Sequence, residues 1–217
     1  VRGVANNWFS SYLANRKQMV CLQGVSSQPL DITCGVPQGS ILGPLLFLVY
    51  INDMHTAIKH SVIHHFADDT NLLYSHKNPK IIRKHMNEDL KFLYTWLCAN
   101  RLSLNVSKTE FIIFRPPRAT LAERMTLSLN RNKIFESSKI KYLGVIMDSK
   151  LSWKYHISEL SKKLNRAVGM LYKLRQIRCN QRILLSIYFS LFQSHLIYGL
   201  CVWGNADNVY LKKIFLA

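Results

Sequence analysis

Two adjacent carboxylates, Asp68 and Asp69, lie between two short runs of β-forming residues, Val62 to Phe66 and Thr70 to Tyr74. Such runs around a small polar centre predict a β-hairpin or a tight strand-turn-strand that lifts both acids to its tip. Side chains alternate faces along a strand, so at most one of the pair points straight into a site unless the turn bends both inward. The chemistry this suits is magnesium binding. Mg²⁺ takes oxygen ligands and keeps several waters beside one or two carboxylates and substrate phosphates. A solvated Asp-Asp turn is the plainer reading of an isolated pair, and only the surrounding chain argues against it.

Two further stretches could meet phosphate. Residues Gly35, Val36, Pro37, Gln38, Gly39 and Ser40 form a loop that opens directly onto the apolar run 41–54. Gly39 permits close backbone approach to a ligand. Ser40 can cap the following helix and leave its first N–H groups and dipole for an anion. Alone, a loop of this kind more often just turns the chain. Lys108, in the turn Val106 to Thr109, is either an ordinary surface lysine or a cation aimed at phosphate.

Charge narrows the classes of partner. The 217 residues carry a formal net charge of +17, placed unevenly: residues 1–78 hold five Lys/Arg against four Asp/Glu, and residues 79–217 hold 24 against eight. A basic half of this kind is the footprint of a polyanion, nucleic acid before membrane, since no amphipathic anchor or lipidation motif accompanies it. With 48% hydrophobic residues the chain is globular, and its longest apolar run, Ile41 to Ile51, is broken by Gly43 and Pro44 and too short to span a bilayer. Five cysteines at 21, 34, 98, 179 and 201 form no C-x-x-C pair, which fits a reducing intracellular compartment without separating nucleus from cytoplasm. His60, His64 and His65 cluster without a cysteine at ligand spacing, so zinc is not expected. The first residues, Val1 to Val4, contain neither an initiator methionine nor a signal peptide and read as a piece of something longer.

The elements that must position these groups form an α+β pattern. Trp8 to Leu13 predicts a short helix, and Gln18 to Leu22 and Leu30 to Cys34 predict strands around a turn at Gly24 to Pro29. Asn78 as cap, Pro79 at the first position and Ile82, Met86, Leu90, Leu93 and Leu97 at spacings of three and four predict a helix over 79–100, packed on one face of a sheet. Leu102 to Asn105 and Glu110 to Phe114 read as strands, Arg115 to Arg118 as the start of a loop, and 125–130 as a weak strand. A hairpin is expected from Lys139 to Met147, a turn at Asp148 to Lys150, and Leu151 to Trp153. Beyond Trp153, residues Ile157, Leu160, Leu164, Val168, Leu171 and Leu174 keep helical spacing, with Lys162, Lys163, Arg166 and Lys173 between them. The apolar stripe can dock while the basic remainder lies along a phosphate backbone. A second helix, about Gln181 to Tyr198, is apolar nearly all round and is expected in the core.

Taken in order, Gly35 to Ser40, Phe66 to Asp69, Leu104 to Thr109, and Tyr142 to Val145 with Trp153 and His156 beyond, the set resembles the reverse transcriptases of non-LTR retrotransposons, long interspersed elements of jockey-like type. The resemblance covers nearly the whole chain. It implies a partial polymerase palm with fingers over 1–153, an antiparallel sheet with packed helices, followed by a helical thumb over 154–217. It implies an RNA-directed DNA polymerase using an RNA template, a DNA primer, deoxynucleoside triphosphates and Mg²⁺, with Mn²⁺ as a substitute. Asp68 and Asp69 match the catalytic, metal-holding pair, Asp68 the more direct ligand. Lys108 matches the lysine that protonates the leaving pyrophosphate. Gly35, Pro37, Gln38, Gly39 and Ser40, with Phe66 and Ala67, match segments against the template base and incoming nucleotide. Tyr142, Leu143 and Gly144 match the hairpin that grips the primer terminus, and the basic helix looks like the start of the thumb.

In that family the metal cage has a further aspartate on a strand upstream of the 35–40 motif. Before Asp68 the only acids here are Asp31 and Asp53, and neither matches it. The chain is therefore expected to bind nucleic acid and to extend primers poorly or not at all by itself. Other readings are a catalytically dead nucleic-acid-binding remnant and a basic structural domain held by protein contacts. Retron and group II intron polymerases share the palm chemistry, but Tyr142 to Val145 followed by Trp153 leans toward the non-LTR group.

Overall fold

In a computed structural model, residues 1–116, 125–130 and 132–215 are described. The chain is a mixture of helices and small antiparallel sheets, divided into two compact units, Val1–Leu102 and Ser103–Ala217. Arg118, in the predicted loop, lies outside the described residues. Among those that are described, no helix is long and apolar enough to cross a membrane.

The first unit opens with helix α1 (Val4–Leu13), then β1 (Arg16–Gln18), β2 (Cys21–Leu22), β3 (Val25–Ser26) and β4 (Leu30–Ile32). β1 pairs antiparallel with β4, and β2 with β3, so the expected strand Gln18 to Leu22 is split between β1 and β2, the expected turn contains β3, and the strand from Leu30 ends at Ile32. Helix α2 (Leu42–Ile51) runs into a 3₁₀ turn, Asn52–Ala57, and then the hairpin β5 (Val62–Phe66) and β6 (Asp69–Leu73). Helix α3 (Pro79–Ala99) follows. It starts as Asn78 and Pro79 predict, with the Asn78 side chain accepting the Lys80 N–H at 2.9 Å.

The core of this unit joins Ile51 and Met54 to Leu93 and Leu97, with Phe47, Ile63, Leu72, Trp96 and Leu102 packed around them. Ile63 and Leu72 are a cross-strand pair, so one face of the β5–β6 hairpin is sealed against this core. At its base the hairpin is tied to α3 by Asp89, which is fully buried. Its carboxylate accepts N–H groups from Lys59 (3.0 Å), His60 (3.2 Å) and Ser61 (2.7 Å) and the Ser61 hydroxyl (2.6 Å).

The second unit begins with a 3₁₀ turn, Val106–Lys108, and contains the hairpins β7 (Thr126–Leu129) with β8 (Asn132–Phe135), and β9 (Lys139–Tyr142) with β10 (Val145–Asp148). The strands expected at 102–105 and 110–114 are not formed; Phe111 makes a single parallel bridge to Glu136. A strand exists only through a partner's hydrogen bonds, and these segments find too few. The expected hairpin also turns earlier, at Leu143 and Gly144, so that Tyr142 pairs with Val145 and Lys139 with Asp148.

Asp148 then ends the hairpin and starts the next element. Its carboxylate accepts the N–H groups of Lys150, Ser152 and Trp153 and the Ser152 hydroxyl. These bonds hold Trp153 in the left-handed region, at φ 61°, as the cap of helix α4 (Lys154–Gln176). The chain continues as α5 (Gln181–Ile187), a π turn (Tyr188–Gln193), α6 (Ser194–Ile197), α7 (Leu200–Trp203) and α8 (Asn208–Phe215).

Ile157, Leu160 and Leu164 of α4 close on Trp203, with Trp153, Phe192, Leu196 and residues of α8 around them. The predicted stripe is thus buried at its start, whereas Val168 is exposed and Leu171 and Leu174 are half-buried. The expectation that 181–198 is core does not hold: α5, the π turn and α6 contain no buried residue. These elements lie along one side of α4, which covers only part of their all-round apolar surface.

Candidate active site and nucleic-acid interface

The hairpin register fixes where the acids lie. Phe66 pairs with Asp69, leaving Ala67 and Asp68 as a two-residue turn, with Ala67 at φ 52°. Two-residue hairpin loops take positive φ because their twist then matches the strands. Paired residues share a face, so Ile63 and Leu72 pack on the helical core with His65 and the exposed Thr70 on the same side, and Phe66 and Asp69 lie on the opposite, exposed face. Burial, with His55 nearby, holds the His65 imidazole below its ordinary pKa, and its Nδ1 meets the Thr70 hydroxyl at 3.1 Å. The two carboxylates do stand at the tip, Asp68 in the turn and Asp69 on the open face. Both are exposed, and among the described residues no hydrogen bond or ion pair engages either one.

Loop 35–40 belongs to the same unit. The Arg16 guanidinium donates to the Gly35 carbonyl at 2.5 Å, and Gly35 and Gly39 both take φ 78°. Gln38 and Gly39 are exposed, and Val36 and Pro37 are half-buried. Ser40 does serve the helix start: its Oγ accepts the Gly43 N–H at 3.0 Å and donates to the Pro37 carbonyl at 2.7 Å. The expected cap is therefore present, and it narrows the N–H groups at this helix start to those before Gly43. Gly43 has spent its N–H on Ser40, and Pro44 has none.

A divalent ion needs oxygen ligands without competing partners. Asp68 and Asp69 carry such oxygens without a competing partner among the described residues; a magnesium ion held there would fill its remaining positions with water and phosphate. Among the described residues no group of three or more His, Cys, Asp or Glu could hold a metal ion, so a cage of three acids is not present in them.

In the second unit, Lys108 is exposed on the 3₁₀ turn, whose Lys108 N–H is held by the Asn105 carbonyl. Tyr142 ends β9, and Leu143 and Gly144 form the β9–β10 turn. Tyr198 pins it, donating its hydroxyl to the Leu143 carbonyl at 2.6 Å. Gly144 sits at φ 83°, and a Cβ there would lie 3.2 Å from the Tyr198 ring. Gly144→Ala is therefore expected to destabilise the second unit by about 1–2 kcal/mol, the cost of a left-handed L-residue, before any ring displacement. A lower urea midpoint than that of the unaltered chain checks this.

On α4, Lys162, Lys163, Arg166 and Lys173 are all exposed. Lys162 is engaged by Glu159 at 2.7 Å, and that bond and charge hold the Glu159 carboxyl below its usual range. The other three cations project from the same helix. His156, beyond Trp153, is buried against Trp203, and burial, with Lys163 nearby, lowers the pKa of its imidazole.

Two acids were missed by the sequence reading of the site. Asp89 continues the series Ile82, Met86 to Leu93, an acid in a buried stripe, which was a legible signal. Asp148 lay within a recognised turn, but its four bonds could not be read from spacing.

A family model described as reverse transcriptase (RNA-dependent DNA polymerase) matches residues 2–147. Over 214 residues the chain is 31% identical to the RNA-directed DNA polymerase from mobile element jockey of Drosophila melanogaster, covering 94% of this chain and 23% of the relative. It is 27% identical to the probable RNA-directed DNA polymerase from transposon X-element and 29% identical to that from transposon BS, both of Drosophila melanogaster and with the same two coverages. The chain thus spans less than a quarter of the length of these relatives. No solved structure matches. With most of its length matched by that model, the chain belongs to the reverse transcriptase (RNA-dependent DNA polymerase) family.

Proposed function

We propose that this chain is the palm-to-thumb portion of the RNA-directed DNA polymerase of a non-LTR retrotransposon, with partial fingers and palm over 1–153 and thumb over 154–217. The observation that carries the reading is the unspent pair at the hairpin tip, Asp68 in the turn and Asp69 on the open face, with the hairpin's other face packed on the core. In the parent protein a primer 3′-hydroxyl attacks the α-phosphorus of a deoxynucleoside triphosphate paired to RNA, and pyrophosphate leaves. Asp68 and Asp69 would hold Mg²⁺, or Mn²⁺ in its place, which when bound supplies charge stabilisation at the attacking and leaving oxygens.

The chain's own residues do the remaining work. Lys108 donates a proton to the departing pyrophosphate. Gly35 to Ser40, with Phe66 and Ala67, line the base and nucleotide. Tyr142 to Gly144 steady the primer end, and Lys163, Arg166 and Lys173 meet the nucleic-acid backbone. A primer-extension assay of residues 1–217 on an RNA template tests the reading. Expected are binding of the RNA–DNA hybrid and little or no extension with either metal. Robust extension would show that two carboxylates suffice.

The second reading, a nucleic-acid-binding remnant without catalysis, is favoured by the charge alone, 24 Lys/Arg against eight acids over 79–217. Both readings require affinity that falls steeply with salt, by about 0.7–0.9 in the log–log slope for each phosphate met. A salt-independent affinity sinks both and leaves a domain held by protein contacts. Extension restored by an upstream aspartate-bearing strand separates the first from the second.

A further inference from the structure

The helical run from Gln181 to Trp203 is interrupted at Tyr198 and Gly199. Tyr198 takes extended backbone, at φ −63° and ψ 119°, and Gly199 takes the left-handed region, at φ 64°. The break is held from behind. Trp203, 1% exposed and packed with α4 in the core, donates its indole N–H to the Tyr198 carbonyl at 2.9 Å, and the Gly199 carbonyl accepts the Val202 N–H at 2.8 Å. In front, the break meets the β9–β10 turn. Tyr198 donates its hydroxyl to the Leu143 carbonyl, and a Cβ on Gly199 would lie 3.2 Å from the Val145 side chain. Burial does not account for this placement, because Tyr198 is 54% exposed.

The turn supplies a second, independent observation. Both of its residues are left-handed, Leu143 at φ 45° and Gly144 at φ 83°. A two-residue turn with positive φ at both positions favours Asn or Asp followed by Gly. Leucine there carries the steric cost of a left-handed L-residue, and such strain persists only where the surroundings fix it. The Tyr198 hydroxyl reaches the strained residue at its own carbonyl, and the Tyr198 ring closes over Gly144.

We infer that Tyr198 is a positioning residue for polymerisation: from the helix break it locks the Leu143–Gly144 turn in its left-handed form, and so fixes where that turn sets the primer 3′ end. The inference rests on the reading of Tyr142 to Gly144 as the segment that steadies the primer, and adds a residue that acts on it through the protein. The lock governs placement and not affinity. Its hydroxyl is uncharged and already spent on Leu143, whereas lysine and arginine contacts to phosphate supply binding. With the lock removed, the primer still binds, but its terminal hydroxyl is held less well in line with the α-phosphorus, and the chemical step slows.

The experiment is primer extension on an RNA template by a polypeptide that joins residues 1–217 to an upstream strand bearing an aspartate, with affinity for the RNA–DNA hybrid read by fluorescence anisotropy. Tyr198→Phe keeps the ring over Gly144 and removes only the hydroxyl. It is expected to lower kcat about tenfold, as misplacement of a reacting group does. Hybrid affinity and the KM for deoxynucleoside triphosphate should stay within about twofold, since no phosphate contact is lost.

Leu143→Asn separates a lock on the turn from any other role of the hydroxyl. Asparagine enters the left-handed region readily, so the turn then keeps its form unaided. Adding Tyr198→Phe to Leu143→Asn is expected to change kcat by no more than about twofold, a coupling that neither lost folding nor a direct primer contact would produce. An unchanged kcat in Tyr198→Phe, a parallel loss of hybrid affinity, or the same tenfold loss on the Leu143→Asn background would overturn the role. If the unaltered polypeptide does not extend a primer, the polymerase reading falls and the role with it. If it extends and Tyr198→Phe matches it, only the role falls.

Discussion

Asp68→Ala, made in a polypeptide that joins residues 1–217 to an upstream strand bearing an aspartate, is expected to cut DNA synthesis about a thousandfold or more, since a metal's stabilisation of transition-state charge amounts to several kcal/mol. Affinity for the RNA–DNA hybrid should stay within about twofold, because phosphate contacts by lysine and arginine supply it. The two readouts separate a lost metal ligand from a lost fold. Asp68 is an exposed turn residue, and no bond to it is seen among the described residues, so its removal takes nothing from the core. Asp69→Ala should fall in the same direction while also altering a residue paired with Phe66, and Asp68→Asn should be nearly as inactive as the alanine, because a neutral amide is a poor ligand for a hard cation. Synthesis retained by Asp68→Ala would remove that residue from the chemistry and with it the proposed role of the hairpin.

How far these roles could be read without coordinates depended on whether a signal was local. Helix α3 was legible end to end, since Asn78, Pro79 and a stripe at spacings of three and four act within single turns. The β5–β6 hairpin was equally legible, because its turn and strands lie within a dozen residues. Segments 102–105 and 110–114 looked like strands for the same compositional reason, but a strand needs a distant partner, and only Phe111 found one. The stretch 181–198 failed differently. Apolar residues all round a helix say that burial would be favourable, not that neighbours exist to provide it, and Phe189, Ile197 and Tyr198 remain more than half exposed. The cavity that joins residues 141, 156, 163 and 195 could not be foreseen at all, since these come from three elements.

Asp89→Asn is expected to destabilise the first unit by at least about 3 kcal/mol, the sum of several buried donors losing a charged acceptor at roughly 1–3 kcal/mol each. The change is isosteric, so packing is preserved, yet whichever side the amide takes, its NH₂ faces backbone N–H groups. Oδ1 meets Lys59 and His60, and Oδ2 meets Ser61 twice. Ser61→Ala removes one of these bonds and should cost about 1 kcal/mol. Burial pushes the Asp89 carboxyl up, but the Ser61 hydroxyl and the N–H groups of Lys59, Ser61 and His60 outweigh it and hold the group below the ordinary aspartate range. A depressed folded-state pKa contributes stability that is complete above the unfolded-state value, about 3.9, and is lost as pH falls through the folded value. The gap between the unaltered chain and Asp89→Asn should therefore be constant near neutrality and narrow only in strong acid, and it should resist added salt because the group is fully buried. Urea midpoints from neutral to acid pH measure this. A gap that closes near pH 6, or collapses in high salt, would show that Asp89 acts as a surface charge and not as the anchor that holds the acid-bearing hairpin to α3.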